Sequence, residues 1–155
     1  MLTVIEALPT IQFLRLPSNP DLPLPAYATD GAAGFDIRAC LSQSVSIGPG
    51  GRALIPTGFC CALPAGHELQ IRPRSGLAVK HGITVTNALG TVDPDYRGEI
   101  KVSLINHSDE WFEISHGDRI AQAVLAPVVR AAMAEVAELD ATARGERGFG
   151  STGRT

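Results

Sequence analysis

Three stretches of this chain carry side chains that could do chemistry. In Asp93-Pro94-Asp95-Tyr96-Arg97 two carboxylates flank a proline beside an arginine. Such a carboxylate can accept a proton from water or hold the water in line for attack. The bland reading is a turn beside Pro94, and sequence chemistry alone does not separate Asp93 from Asp95. In Arg74-Ser75-Gly76 a guanidinium fork can grip two phosphate oxygens, while the hydroxyl and the glycine N–H add shorter bonds. The same residues also suit a turn and helix start with Ser75 as the cap. The third stretch, Arg144-Gly145-Glu146-Arg147-Gly148-Phe149-Gly150-Ser151-Thr152-Gly153, has almost nothing to bury, and its glycines make it costly to order. A free tail is expected. It is either a solvated terminus or an arm that closes over a phosphate-bearing ligand, with arginines and hydroxyls on the oxygens and Phe149 stacked on a base.

The elements that must position these residues read as short strands. Val45 to Ile47, Leu69 to Ile71, Ile83 to Val85 and Ile100 to Leu104 alternate with period two, so Ile100, Val102 and Leu104 face one way and Lys101 and Ser103 the other. Turn signals at Gly48-Pro49-Gly50-Gly51, Pro64-Ala65-Gly66, Asn106 to Asp109 and His116-Gly117-Asp118 separate them, a spacing that suits a barrel or jelly-roll-like packing. One short helix is expected over Gly76 to His81, ended by a left-handed Gly82. The N-terminal residues suit an edge strand with Ile11 and Phe13 inward. Four prolines between Pro17 and Pro25 make a stiff surface connection. Ala131 to Leu139 has helical propensity in its alanines and glutamates, against strand-like Val128, Val129 and Val136.

Composition narrows the function. With 155 residues the chain suits one domain with one core, and 16 Gly with 11 Pro favour turns and short strands over long helices. A net charge of −3 argues against a nucleic-acid or anionic-membrane surface while permitting a small basic pocket. Cys40, Cys60 and Cys61 do not form a disulfide framework, the N-terminal residues do not read as a signal peptide, and no run is apolar enough to span a membrane. A cytoplasmic setting is the expectation. The Asn106-His107-Ser108 acceptor pattern is taken as chance. No Walker motif, HExxH or structural-zinc spacing occurs, and the C-terminal glycines do not lie between a strand and a helix.

Five blocks, in order, resemble the five motifs of the trimeric deoxyuridine triphosphatase (dUTPase) family. They are Ala33-Gly34-Phe35-Asp36-Ile37, Pro73 to Ala78, Gly90 to Gly98, Gly117-Asp118-Arg119-Ile120-Ala121-Gln122, and the arm from Arg144 to Gly153. The resemblance implies an all-β, jelly-roll-like β-clip over residues 1–143 with one short helix, and a flexible arm over 144–155. It also implies that residues 131–139 are mainly extended. The implied activity is cleavage of dUTP to dUMP and pyrophosphate with magnesium, by a homotrimer whose active sites are shared among subunits.

Residue by residue, the resemblance makes Asp93 the group that activates the attacking water and seats Tyr96 beneath the deoxyribose, where a 2'-hydroxyl would be crowded out. Asn87 would read uracil with its amide, completed by the hairpin from Ile83 to Gly90. Leu89 stands where relatives often carry proline, which would leave that hairpin less rigid. Arg74, Ser75 and Gly76 would cradle phosphates, Gln122 would reach the α phosphate, and Arg144, Gly150, Ser151 and Thr152 would hold the outer groups with Phe149 over the base. Asp36, in a block of small and apolar residues, is expected to be buried and to order the metal–triphosphate site. Magnesium is expected mainly on substrate phosphates and water, with no direct protein ligand. Asp118 and Arg119 would brace the loop and subunit contacts. Two rivals share the fold, a dCTP deaminase and a non-catalytic trimeric nucleotide-binding regulator. The intact Asp93 to Tyr96 block favours pyrophosphate release over the deaminase, and the presence of all five motifs, arm included, argues against the regulator.

Overall fold

The computed structural model describes residues 8–148, so Phe149, Gly150, Ser151 and Thr152 lie outside the described residues. Two four-stranded antiparallel sheets face each other across one core. The first runs β1 (Gln12–Arg15), β4 (Arg52–Ala62), β8 (Glu99–Asn106), β6 (Ile83–Val85). The second runs β2 (Phe35–Arg38), β10 (Arg119–Pro127), β5 (His67–Arg72), β7 (Gly90–Val92). A small pair, β3 (Val45–Ile47) with β9 (Phe112–Ile114), adds Ile47 and Ile114 to the same core. This is the jelly-roll-like all-β architecture expected.

Strand alternation builds the core. Ile100, Val102 and Leu104 of β8 point inward and meet Phe35, Ile37, Leu69 and Ile71 of the opposite sheet, while Lys101 faces solvent. Asn106 ends that inward row as a fully buried amide. Its nitrogen donates to Ile47 O (2.9 Å) and Glu110 O (2.7 Å), and its oxygen accepts Ser108 N–H at 2.9 Å. Both amide hydrogens are thereby used inside the fold, in keeping with a chance match to the glycosylation pattern.

The longest strand, β4, breaks alternation at a bulge where the register shifts between Pro56 and Cys60. Gly58 adopts φ 71° there, and a Cβ would fall 2.4 Å from that of Asn19. The bulge is satisfied on both sides: Gly58 N–H donates to Glu99 Oε1 (2.9 Å) and Thr57 Oγ1 donates to Ile100 O (2.7 Å). Asn19, itself buried, accepts Leu22 N–H at 3.0 Å and so ties the proline-rich connection to this point. Cys40, Cys60 and Cys61 are free and buried; burial pushes the Cys61 thiol above its usual pKa, and burial with Glu99 and Asp21 nearby does the same for Cys40.

The helix α1 spans Ser75–His81 and ends at Gly82 with φ 64°, as the glycine signal predicts. Ser75 opens the helix and does not cap it. The cap position is Arg74, whose guanidinium has only donors and so cannot accept the first-turn N–H groups; it pairs with Asp36 instead. Ile11 and Phe13 pack on the core beside the edge strand β1, as expected. Residues 131–139 form neither helix nor ladder, and every one of them is exposed. Alanine and glutamate propensity does not make a helix there without a surface to pack on. No helix among the described residues is long and apolar enough to cross a membrane.

Candidate active site

Antiparallel pairing lines up Asp36, Gln122 and Arg72 across β2, β10 and β5, all on the face turned away from the core. The chain leaves β5 through Pro73 into α1, which carries Arg74 back over the row. Gln122 Nε2 donates to Pro73 O at 2.9 Å and fixes that exit. Its second amide hydrogen remains for a ligand. Gly34 completes the floor: a Cβ there would stand 3.1 Å from Gln122 Oε1 and from Ala123 O.

The Asp36 carboxylate is bound at both oxygens. Oδ1 accepts Arg74 Nε at 3.1 Å and Oδ2 accepts Arg119 Nη1 at 3.2 Å, while Arg74 Nη1 donates to Arg119 O at 3.0 Å. The Asp36 side chain is about a quarter exposed, so the expectation of a buried carboxylate needs correcting. It lies on the outer face of an alternating strand, with Phe35 and Ile37 taking the inner one. Arg119 belongs to this cluster, although the resemblance implied for it only a bracing of the loop and subunit contacts. In a regular strand residues 119 and 122 point to opposite faces. A register shift between Arg119 and Ala121 lets both reach the outer face, with Ile120 and Ala121 buried between them. Two consecutive buried residues in Arg-Ile-Ala-Gln are the one trace of that bulge in the sequence.

Ala28, Gly34, Asp36, Arg74, Ser75, Gly76 and Gln122 together line an open cleft of about 250 Å³. Ser75 and Gly76 sit exposed in the first turn of α1, where backbone N–H groups have no intrahelical acceptor. The arrangement is a shallow cradle of donors suited to phosphate oxygens.

Asp93 is not in that cradle. It follows β7, exposed, and lines a second and wider cleft with Glu68, Asp95, Arg97 and Arg130 that shares no residue with the first. Asp93 O accepts Tyr96 N–H at 3.1 Å, which closes the turn around Pro94. Tyr96 is 46% exposed and its hydroxyl donates to Glu99 O at 3.0 Å. Asn87 is exposed between β6 and β7, in a segment expected to be a hairpin. It is an arch: β6 pairs with β8 and β7 with β5, so residues 86–89 cross from the edge of one sheet to the edge of the other. Thr86 anchors the arch, its N–H donating to Ser103 O at 2.8 Å. Arg144 is exposed, and among the described residues its side chain bonds within its own loop, Nε donating to Arg147 O at 2.9 Å. One chain therefore assembles the donor-lined cleft and leaves Asp93, Asn87, Tyr96 and Arg144 apart from it.

Comparison with known proteins agrees with the motif reading. The family model described as dUTPase matches residues 21–153. A deoxyuridine 5'-triphosphate nucleotidohydrolase of Rhizobium rhizogenes is 57% identical over 147 residues, 94% of each chain. Another with that name, from Caulobacter vibrioides, is 55% identical over 154 residues, covering 98% of this chain and 99% of its own. Among solved structures, the dUTPase of Staphylococcus bacteriophage 80alpha with dUpNHpp superposes with a TM-score of 0.82 at 26% identity, over 93% of this chain and 98% of that one.

Proposed function

This chain belongs to the dUTPase family, and on that premise we propose that its two clefts divide one reaction: hydrolysis of dUTP to dUMP and pyrophosphate. The observation that carries the assignment of roles is the cleft where Arg74, Ser75, Gly76 and Gln122 converge on a doubly paired Asp36. Arg74, oriented through Nε by Asp36, grips the phosphates with its remaining N–H groups, and Ser75 and Gly76 add hydroxyl and backbone donors. Gln122 gives its free amide hydrogen to the α phosphate. Asp93 holds a water in line with the α phosphorus and takes its proton. As the new P–O bond forms, the bond from the α phosphorus to its bridging oxygen breaks, and pyrophosphate departs with the electron pair. No covalent enzyme intermediate is required.

Magnesium fits this site as a passenger on the triphosphate. Among the described residues no group of three His, Cys, Asp or Glu could hold the ion, and both Asp36 oxygens are already paired. Such an ion would be held by phosphate oxygens and water, with Asp36 ordering that water shell. When bound it supplies neutralisation of charge on the leaving pyrophosphate.

The working unit is a homotrimer. The separation of Asp93 from the cradle supports a site built between chains, with one subunit lending its carboxylate cleft to another's phosphate cradle. The exposed apolar side chains Val129, Met133 and Leu139 on the extended stretch after β10 suit burial against a neighbouring copy. Residues 144–155 form an arm distinct from the β domain of residues 1–143. Arg144, Gly150, Ser151 and Thr152 hold the outer phosphates and Phe149 covers the base, while Asn87 reads uracil and Tyr96 the sugar. Three free cysteines suit a reducing cytoplasm.

The test is product release from dUTP, dTTP, dCTP and UTP, each with and without magnesium. Release of dUMP and pyrophosphate chiefly from dUTP, and only with the ion, is expected. Binding without turnover would replace this reading with a nucleotide-binding regulator. dUTP appearing from dCTP would replace it with a deaminase.

A further inference from the structure

Tyr96 is pinned at three points while nearly half its surface stays open. Its backbone N–H donates to Asp93 O at 3.1 Å and its hydroxyl to Glu99 O at 3.0 Å. The phenol end of the ring rests on Gly98, where an added Cβ would stand 2.3 Å from the hydroxyl oxygen, 2.6 Å from Cζ and 2.9 Å from Cε2. A side chain at position 98 and the ring in this place therefore exclude each other. The φ of Gly98 lies outside the left-handed region, so its backbone would accept alanine. Glycine is needed here for the room it leaves and not for its torsion.

The seat is firmly built. Glu99, whose carbonyl holds the phenol, is fixed by its own side chain, which accepts Gly58 N–H at 2.9 Å and pairs with Lys101 at 3.6 Å. Ile100, next in line, is clamped by Thr57 Oγ1 at 2.7 Å. The ring is thus referenced to the β4–β8 pair and does not ride on the turn alone.

We infer that Gly98 is a positioning residue for sugar selection: it seats the Tyr96 ring at the depth at which the ring's open face rejects a 2'-hydroxyl. The inference rests on the reading that Tyr96 lies under the deoxyribose. A Cβ at 98 strikes the phenol end first, breaks the bond to Glu99 O and unseats the ring, and the space it vacates admits ribose. Loss of the hydroxyl alone removes one of the three pins and leaves the ring on the other two.

The test compares kcat/KM for dUTP and for UTP in the wild type, Y96F, Y96A, G98A and Y96A/G98A, with the melting temperature of each. G98A should lower the dUTP-to-UTP ratio by about tenfold or more, the scale on which one misfitted group changes selection in a pocket. Y96F, which keeps the ring but loses the bond to Glu99 O, should lower the ratio by less than G98A does. Y96A should lose selection as G98A does, and G98A added to Y96A should change the ratio no further, because both act through one ring. A wild-type ratio in G98A overturns the inference, as does an undiminished effect of G98A in the Y96A background. A wild-type ratio in Y96A instead sinks the reading of Tyr96 on which the inference stands. Should G98A alone not fold, the ratio is read on Y96F/G98A, which lacks the oxygen that the Cβ meets first, and an unchanged ratio there overturns the inference equally.

Discussion

Asp36 and Arg74 meet through Oδ1 and Nε at 3.1 Å, a contact that joins the first and second sequence blocks at the edge of the cleft both residues line. Nε is the nitrogen a phosphate clamp can spare. The carboxylate also spans to Arg119, so one side chain sets two cations and the backbone carbonyl between them.

Asp36→Asn keeps the shape but gives up the charge that orders both arginines. kcat/KM for dUTP should fall by about a hundredfold, the scale on which misplaced catalytic groups lose rate. Stability should fall by no more than about 1 kcal/mol, because the pair is partly solvated. Steady-state kinetics beside urea unfolding separates the two. A large loss of stability with intact kinetics would make Asp36 a structural residue only.

Removing residues 144–155 should leave a folded trimer with severely reduced turnover, because among the described residues Arg144 and Arg147 bond locally and lie outside the core. Light scattering reports the assembly and product release the rate. Unchanged turnover would remove the arm from the mechanism.

Gly58→Ala should destabilise the fold by more than about 2 kcal/mol, since it combines a strained positive φ with a Cβ 2.4 Å from Asn19. Gly66→Ala is the control. Its φ of 74° imposes similar backbone strain with open space around the Cβ, so it should cost less. Equal losses in urea unfolding would mean that the contact with Asn19 adds nothing.

Where one face of a strand is wet, the sequence displayed it: β8 alternates cleanly, and its inward Ile100, Val102 and Leu104 are legible by period alone. The helix from Ser75 was legible because Gly82 announces its end. The two other long strands were not, for a common reason. β4 and β10 both carry bulges, which place consecutive residues on the same face and erase period two. The bulge in β10 is also what brings Arg119 beside Gln122 on the outer face. The arch at residues 86–89 was expected as a hairpin only from the family resemblance, and local sequence does not say which sheet each arm will join. Of the site, the residue types were readable as phosphate and water chemistry. That Arg74, Gln122 and Asp36 share a cleft depended on pairings of β10 with β2 and β5 between residues about fifty to ninety positions apart, which only the family resemblance anticipated.

The most direct test of the central claim is hydrolysis of dUTP in ¹⁸O-labelled water by the wild type and by Asp93→Asn, with the label located by mass spectrometry. Attack at the α phosphorus by a water that Asp93 activates places the label in dUMP, and the variant should lose about 10²- to 10⁴-fold in kcat, the usual worth of a positioned general base, while still binding dUTP. Label in pyrophosphate, or a variant that turns over at the wild-type rate, would contradict the account.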